Sequence, residues 1–178
     1  PQPRWQSAWT PTTRRPLLAR LNLTVQHQPW PDLVVALPPG AQDENMTEDA
    51  LARYWEKEAK SRAWVVVAPV STEDGANLRW DIDPLLDEVA KKVKVEGGKF
   101  HLTGISNGGV SAFNLAIREP EKFASLTTLP GHPPNAADFS KLFKIKDIPV
   151  TMFVGELDVK WHDEGQKVEE KLKKLGGR

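Results

Sequence analysis

The chain contains no cysteine. Disulfides, thiolate metal sites and a cysteine nucleophile are therefore excluded together, although the absence itself fits either redox environment. Excess charge of one sign is also missing. Twenty-four Lys and Arg balance 24 Asp and Glu over 178 residues, for a formal net charge of zero. That removes the global electrostatic case for a nucleic-acid partner. No apolar run approaches the roughly 20 residues needed to cross a bilayer, so no membrane span is expected.

Acid is absent locally as well. From Pro1 to Trp30 there is none, while Arg4, Arg14, Arg15 and Arg20 are present. This stretch reads either as the remnant of an organelle-targeting segment or basic arm, or as an extended lead-in rich in proline. The second reading is preferred, because the apolar body and cleavage site of a secretory signal are missing. Residues 1–16 are accordingly taken as the basic lead-in and 17–178 as one domain, a length that can bury a substantial core. A cytoplasmic or organellar compartment is expected over a secreted one. The N-x-T triplets at Asn22 and Asn45 are weak evidence for glycosylation on their own.

What is present is an alternation of strand and helix patterns. "LLARLNLTVQ" (17–26) alternates apolar and polar residues as a half-exposed strand does. "DLVVALP" and "WVVVAPV" are short continuous apolar runs, suited to buried parallel strands. Between them "TEDALARYWEKEAKSR" predicts a helix capped by Thr47, with Leu51, Tyr54, Trp55 and Ala59 on one face. "DPLLDEVAKKVKV" predicts a helix capped by Asp83 with Pro84 at its first position. Strand "FHLTGI", helix "GGVSAFNLAIREP", strand "FASLTTLPG", a short helix near Phe139–Phe143, strand "IPVTMFVGELD" and helix "HDEGQKVEEKLKKLGG" complete the series. Such βαβ repetition predicts an α/β fold, a doubly wound and mainly parallel sheet. Functional residues should then follow strands, on the sheet edge where such folds bind ligands.

One strand-to-helix turn carries a chemical motif. Gly104-Ile105-Ser106-Asn107-Gly108 fits G-x-S-x-G, in which small neighbours permit a strained serine backbone. An ordinary glycine-rich turn cradling phosphate is the alternative. It is disfavoured because neither G-x-x-x-x-G-K-[ST] nor G-x-G-x-x-G is present.

"LTGISNGG" resembles the nucleophile elbow of the α/β-hydrolases, particularly the carboxylesterase, feruloyl esterase and polyhydroxyalkanoate depolymerase-like groups. The resemblance covers most of the chain from about Leu33 onward. It implies a serine hydrolase acting on small carboxylic esters through an acyl-Ser106 intermediate, without metal or organic cofactor. The Asn107 backbone N–H would serve the oxyanion. In the family order Ser, Asp/Glu, His, the acid falls at Asp158, after the strand in "MFVGELD". The other readings of these positions are a helix-capping aspartate and Glu156 as the acid.

Two positions depart from the family pattern. Where members carry His-Gly after the strand matching "LVVAL", this chain reads Pro38-Pro39, so a second oxyanion N–H falls to Gly40 or Ala41. No histidine occupies the third triad position. His27 precedes the sheet core, His101 lies in a strand, and His162 sits only four residues past Asp158. His132 follows a strand and reads as a loop residue near the pocket mouth, with proton transfer as its lesser alternative. In the family the histidine follows one more strand, so the expected sheet is a hydrolase-like core lacking its last strand. Two readings remain open. The polypeptide continues past Arg178 with a short apolar strand and a histidine-bearing loop. Alternatively, it is a non-catalytic hydrolase-like binding or scaffold subunit. A protein partner covering the sheet edge left by "PVTMFVG" belongs to either reading. Trp80 and Trp161 are predicted in loops near the active edge, where they close over the core or stack on an aromatic substrate.

Overall fold

The computed structural model describes residues 33–70, 82–93 and 95–177, together with the backbone of two strands at 5–8 and 18–22. The strands are β1 (Trp5–Ala8), β2 (Leu18–Asn22), β3 (Leu33–Leu37), β4 (Val65–Val70), β5 (Phe100–Gly104), β6 (Phe123–Thr128) and β7 (Val150–Met152). The helices are α1 (Glu44–Ala50), α2 (Glu56–Arg62), α3 (Asp83–Lys92), α4 (Asn107–Arg118), α5 (Ala136–Ser140) and α6 (Val159–Lys174). The sheet runs in the order β1-β2-β4-β3-β5-β6-β7. Its five strands from β4 to β7 are mutually parallel, while β1 and β2 extend it antiparallel. The expected mainly parallel sheet is thus observed, and the lead-in contributes β1 to it.

Burial explains why β3 and β4 read as unbroken apolar runs. Leu33, Val35 and Leu37 face one core with Val65 and Val67, under Leu85 and Val89 of α3, Phe113 and Ile117 of α4, and Val168 and Leu172 of α6. The alternate residues Val34, Ala36, Val66 and Ala68 face Leu51 and Ala59 on the other side. Helices therefore cover both faces, and a strand between two covered faces has no polar side. Full burial of each such Val, Leu or Phe side chain contributes about 1.5–3 kcal/mol.

Several boundaries differ from the pattern-based expectation. α1 is capped by Asp43, whose carboxylate accepts the Met46 N–H at 2.8 Å, and not by Thr47, which is buried inside the helix. A π turn at Leu51–Trp55 joins α1 to α2. Eight residues of α-helix overshoot two turns by about 80°, and the looser π winding brings Leu51 and Ala59 back onto one face. In α3 the cap position is Ile82, so Asp83 is the first helical residue and Pro84 the second. The short helix is α5 followed by a 3₁₀ turn at Leu142–Ile145. Among the described residues no helix is long and apolar enough to cross a membrane.

Candidate functional site

Strand order reverses between β3 and β5. From β3 the chain crosses outward to β4, then returns across β3 to β5 and continues to β6 and β7. The carboxyl ends of β3 and β5 therefore send their loops in opposite directions, and such a switch point is where open α/β sheets usually bind ligands. The loop after β3 holds Pro38 to Gln42, and the turn after β5 holds Ser106.

Ser106 has φ 56° and ψ −116°. A residue with a Cβ costs about 1–3 kcal/mol in such a conformation, and the surroundings must hold it there. They do so from both neighbouring strands. The Ser106 N–H donates to Pro130 O at 3.1 Å and Leu129 O at 3.3 Å, after β6. The Ile105 N–H donates to Leu37 O at 3.2 Å, at the end of β3. The glycines of the motif are steric necessities. A Cβ on Gly104 would strike the Gly108 carbonyl, one on Gly108 the carbonyls of Leu37 and Pro38, and one on Gly109 the Pro130 carbonyl. Ser106 itself is partly exposed. It stands at the N-terminus of α4, where the helix dipole favours developing negative charge.

The Asn107 N–H opens α4 and has no intrahelical acceptor. The side chain of Asn107 has a separate task, donating from Nδ2 to the Gly40 carbonyl at 3.2 Å. Gly40 is exposed and has φ +63°, and a Cβ added to it would lie 3.1 Å from the end of the Met46 side chain. Gln42, which drew no attention in the sequence, is wholly buried and also lies at positive φ, 61°. Its Nε2 donates to Pro38 O at 3.1 Å and approaches Ser111 Oγ of α4 at 3.4 Å. Among the described residues its Oε1 has no partner, at a cost of about 1–3 kcal/mol.

Asp158 follows β7, so it emerges at the same edge of the parallel sheet as Ser106. It occupies the cap position of α6, but its exposed side chain makes no capping hydrogen bond. Glu156 precedes it in the same loop and is exposed. β6 lies between β5 and β7, so the strand ends are about 10 Å apart. Any proton relay between Asp158 and Ser106 needs a third group.

The histidines occupy distinct places. His101, in β5, shares a 2.7 Å hydrogen bond between Nδ1 and Ser125 Oγ. His162 is on α6, with Nδ1 3.9 Å from Asp163. His27 lies outside the described residues, as does Trp80. His132 stands in the loop after β6, directly beyond the Leu129–Gly131 segment that packs on the elbow. Its Nδ1 is 2.8 Å from Pro133 O. A carbonyl only accepts, so Nδ1 carries the proton and Nε2 of the neutral ring remains an acceptor. The His132 ring lies 4.9 Å from that of Trp161, which is in α6 and not in a loop as expected. Glu164, also on α6, is held below the usual carboxylate range, mainly by its hydrogen bond to Lys167. Among the described residues there is no group of three or more His, Asp or Glu side chains arranged to hold a metal ion.

No protein-family profile matches the chain, and no curated protein sequence matches it. Solved structures do match its fold. A thermostable esterase superposes with a TM-score of 0.72 at 21% identity, over 98% of this chain and 52% of that one. Poly(aspartic acid) hydrolase-1 from Sphingomonas sp. KT-1 gives a TM-score of 0.74 at 14% identity, over 99% of this chain and 89% of that one. An esterase from Pyrobaculum calidifontis gives 0.69 at 18% identity, over 98% and 73% of the two chains. The chain spans about half the length of the first of these and most of the second. Its fold is that of the α/β-hydrolases, as the elbow motif implied.

Proposed function

We propose that the chain is a serine hydrolase of small carboxylic esters, with Ser106 as nucleophile, Asp158 as the acid of the relay and the backbone N–H groups of Asn107 and Gly40 as oxyanion donors. The observation that carries this reading is the strained backbone of Ser106 at the reversal point of the sheet. Strain of that kind is held by the surrounding structure and clusters at active sites, where it fixes how a side chain is presented. In the reaction, Ser106 Oγ adds to the ester carbonyl as its proton passes to a base, and the carbonyl oxygen becomes an oxyanion facing the N-terminus of α4. Collapse breaks the ester C–O bond, the base returns its proton to the departing alkoxide, and water hydrolyses the remaining acyl-Ser106 by the same route. Asp158 is suited to orient an imidazole because its carboxylate is not engaged in capping α6.

A second reading, a non-catalytic binding module, is favoured by Pro38-Pro39, which remove two N–H groups from the loop beside the nucleophile. One experiment separates the two. The purified protein is incubated with a fluorophosphonate, the adduct is mapped, and hydrolysis of short acyl esters is followed in parallel. Labelling at Ser106 that disappears in Ser106→Ala, together with ester turnover, supports the hydrolase. An unlabelled Ser106 in the folded protein overturns it.

A further inference from the structure

We propose that Gln42 is a positioning residue for the oxyanion-binding loop, a role that rests on the hydrolase reading above. The loop between β3 and α1 starts with two prolines, so it cannot be tied down by its own N–H groups at 38 and 39. Among the described residues, side-chain amides tie it at two carbonyls. Gln42 Nε2 holds the Pro38 carbonyl at 3.1 Å and reaches Ser111 of α4. Asn107 Nδ2 holds the Gly40 carbonyl at 3.2 Å. Because each peptide unit is planar, the first tie fixes the plane between Pro38 and Pro39, and the second the plane between Gly40 and Ala41. The Pro39–Gly40 peptide, which carries the Gly40 N–H, is bracketed between two held planes. The ring of Pro39 removes a further torsion.

The location of Gln42 supports the same conclusion. A long polar side chain is placed at zero exposure, at positive φ, with one oxygen unpaired. A leucine or methionine would fill such a site without the polar cost. What the amide adds is a pair of donors, and both point at groups that fix the loop against the helix bearing Ser106. Its orientation is determined, since exchanging Oε1 and Nε2 would set two oxygens against each other at Pro38.

The test uses Gln42→Leu and Gln42→Glu. In Gln42→Leu the fluorophosphonate rate at Ser106 and kcat for a short acyl ester should fall about 10–100-fold with KM little changed, less than the ~10²–10³-fold loss of a deleted oxyanion donor. Gln42→Glu should be impaired when ionised and recover as pH falls, because the protonated acid regains one O–H donor at Pro38; burial raises the pH of that recovery. Wild type should show no such recovery, and thermal melts at each pH monitor folding. Wild-type rates in a folded Gln42→Leu, or no recovery in Gln42→Glu, overturn the proposal. A second readout needs no activity. In ¹⁵N relaxation the Gly40 and Ala41 amides should be ordered in the wild type and mobile in a folded variant, from order parameters of about 0.85 to below about 0.6. Order unchanged in the variant overturns the positioning role even if Ser106 proves unreactive, whereas a silent wild-type Ser106 with a loosened loop counts against the hydrolase reading alone.

Discussion

Replacing Gly108 with alanine isolates the contact on which the elbow depends. The added Cβ would meet the backbone carbonyls of Leu37 and Pro38, so no side chain can swing aside to relieve it. Overpacking of a closed site costs about 1–3 kcal/mol, and a clash with fixed backbone belongs at the upper end. Alanine returns about 0.5–1 kcal/mol relative to glycine within a helix. The net loss is about 2 kcal/mol, which lowers Tm by about 4–8 °C in a chain of this size. Gly165, in the middle of α6, is the control, because a Cβ there meets nothing within 4 Å outside its own helix. Gly165→Ala should gain about 0.5–1 kcal/mol. The two substitutions are chemically identical, so opposite signs in thermal or urea unfolding measure the close approach alone. In the surviving folded fraction of Gly108→Ala, phosphonylation of Ser106 should also slow, since the β3 loop must move away from α4. Equal melting of the two variants would refute the argument that the glycines are steric requirements.

Lys122 pairs with Asp83 and lies 3.2 Å from Glu119, and the Asp83 carboxyl is held below its ordinary value of 3.8, mainly by that Lys122 hydrogen bond. A depressed folded value means that the stabilisation is complete above the unfolded pKa and is lost as pH falls through the folded one. Lys122→Met should therefore melt lower than wild type at neutral pH and converge with it in strong acid. The carboxylate is 44% exposed, so the difference should be at most about 1 kcal/mol. Phe113 is fully buried under β3 and β5, and Phe113→Ala should cost about 3–5 kcal/mol in urea unfolding, against under about 0.5 kcal/mol for exposed Phe143→Ala. Asp158→Asn should leave Tm within about 2 °C of wild type while slowing ester turnover, because the exposed side chain makes no capping bond; a large loss of stability would return Asp158 to a purely structural role.

The central strands were legible because both their faces are covered. A run such as Val65–Ala68 has buried residues at every position, and that is visible without knowing what covers it. Helix starts were less legible, since several residues in a row can cap. Thr47 heads an acidic turn and looks like a cap, yet Asp43 takes the Met46 N–H one turn earlier and draws Thr47 into the core. β1 at Trp5–Ala8 has too few residues for alternation to register, and only its pairing with β2 defines it. Trp161 looked like a loop residue because α6 begins at Val159, three residues before the polar run at His162 that signals a helix.

At the site, the same distinction separates Ser106 from Gln42. The elbow is readable because its demands are met by residues close in sequence: Gly104 must be small for Gly108, and both flank the strained serine. The loop opposite has no such local record. Its two prolines announce missing donors, but nothing near them says which group compensates, and that group proves to be a side chain reaching back four residues and across to Ser111, 69 positions away. A buried amide can be substituted in sequence by many polar residues and in space by very few. A search for the residue that holds such a loop should therefore start from the carbonyl left without a neighbouring N–H, here Pro38 O, and ask which side chain can afford burial in order to reach it.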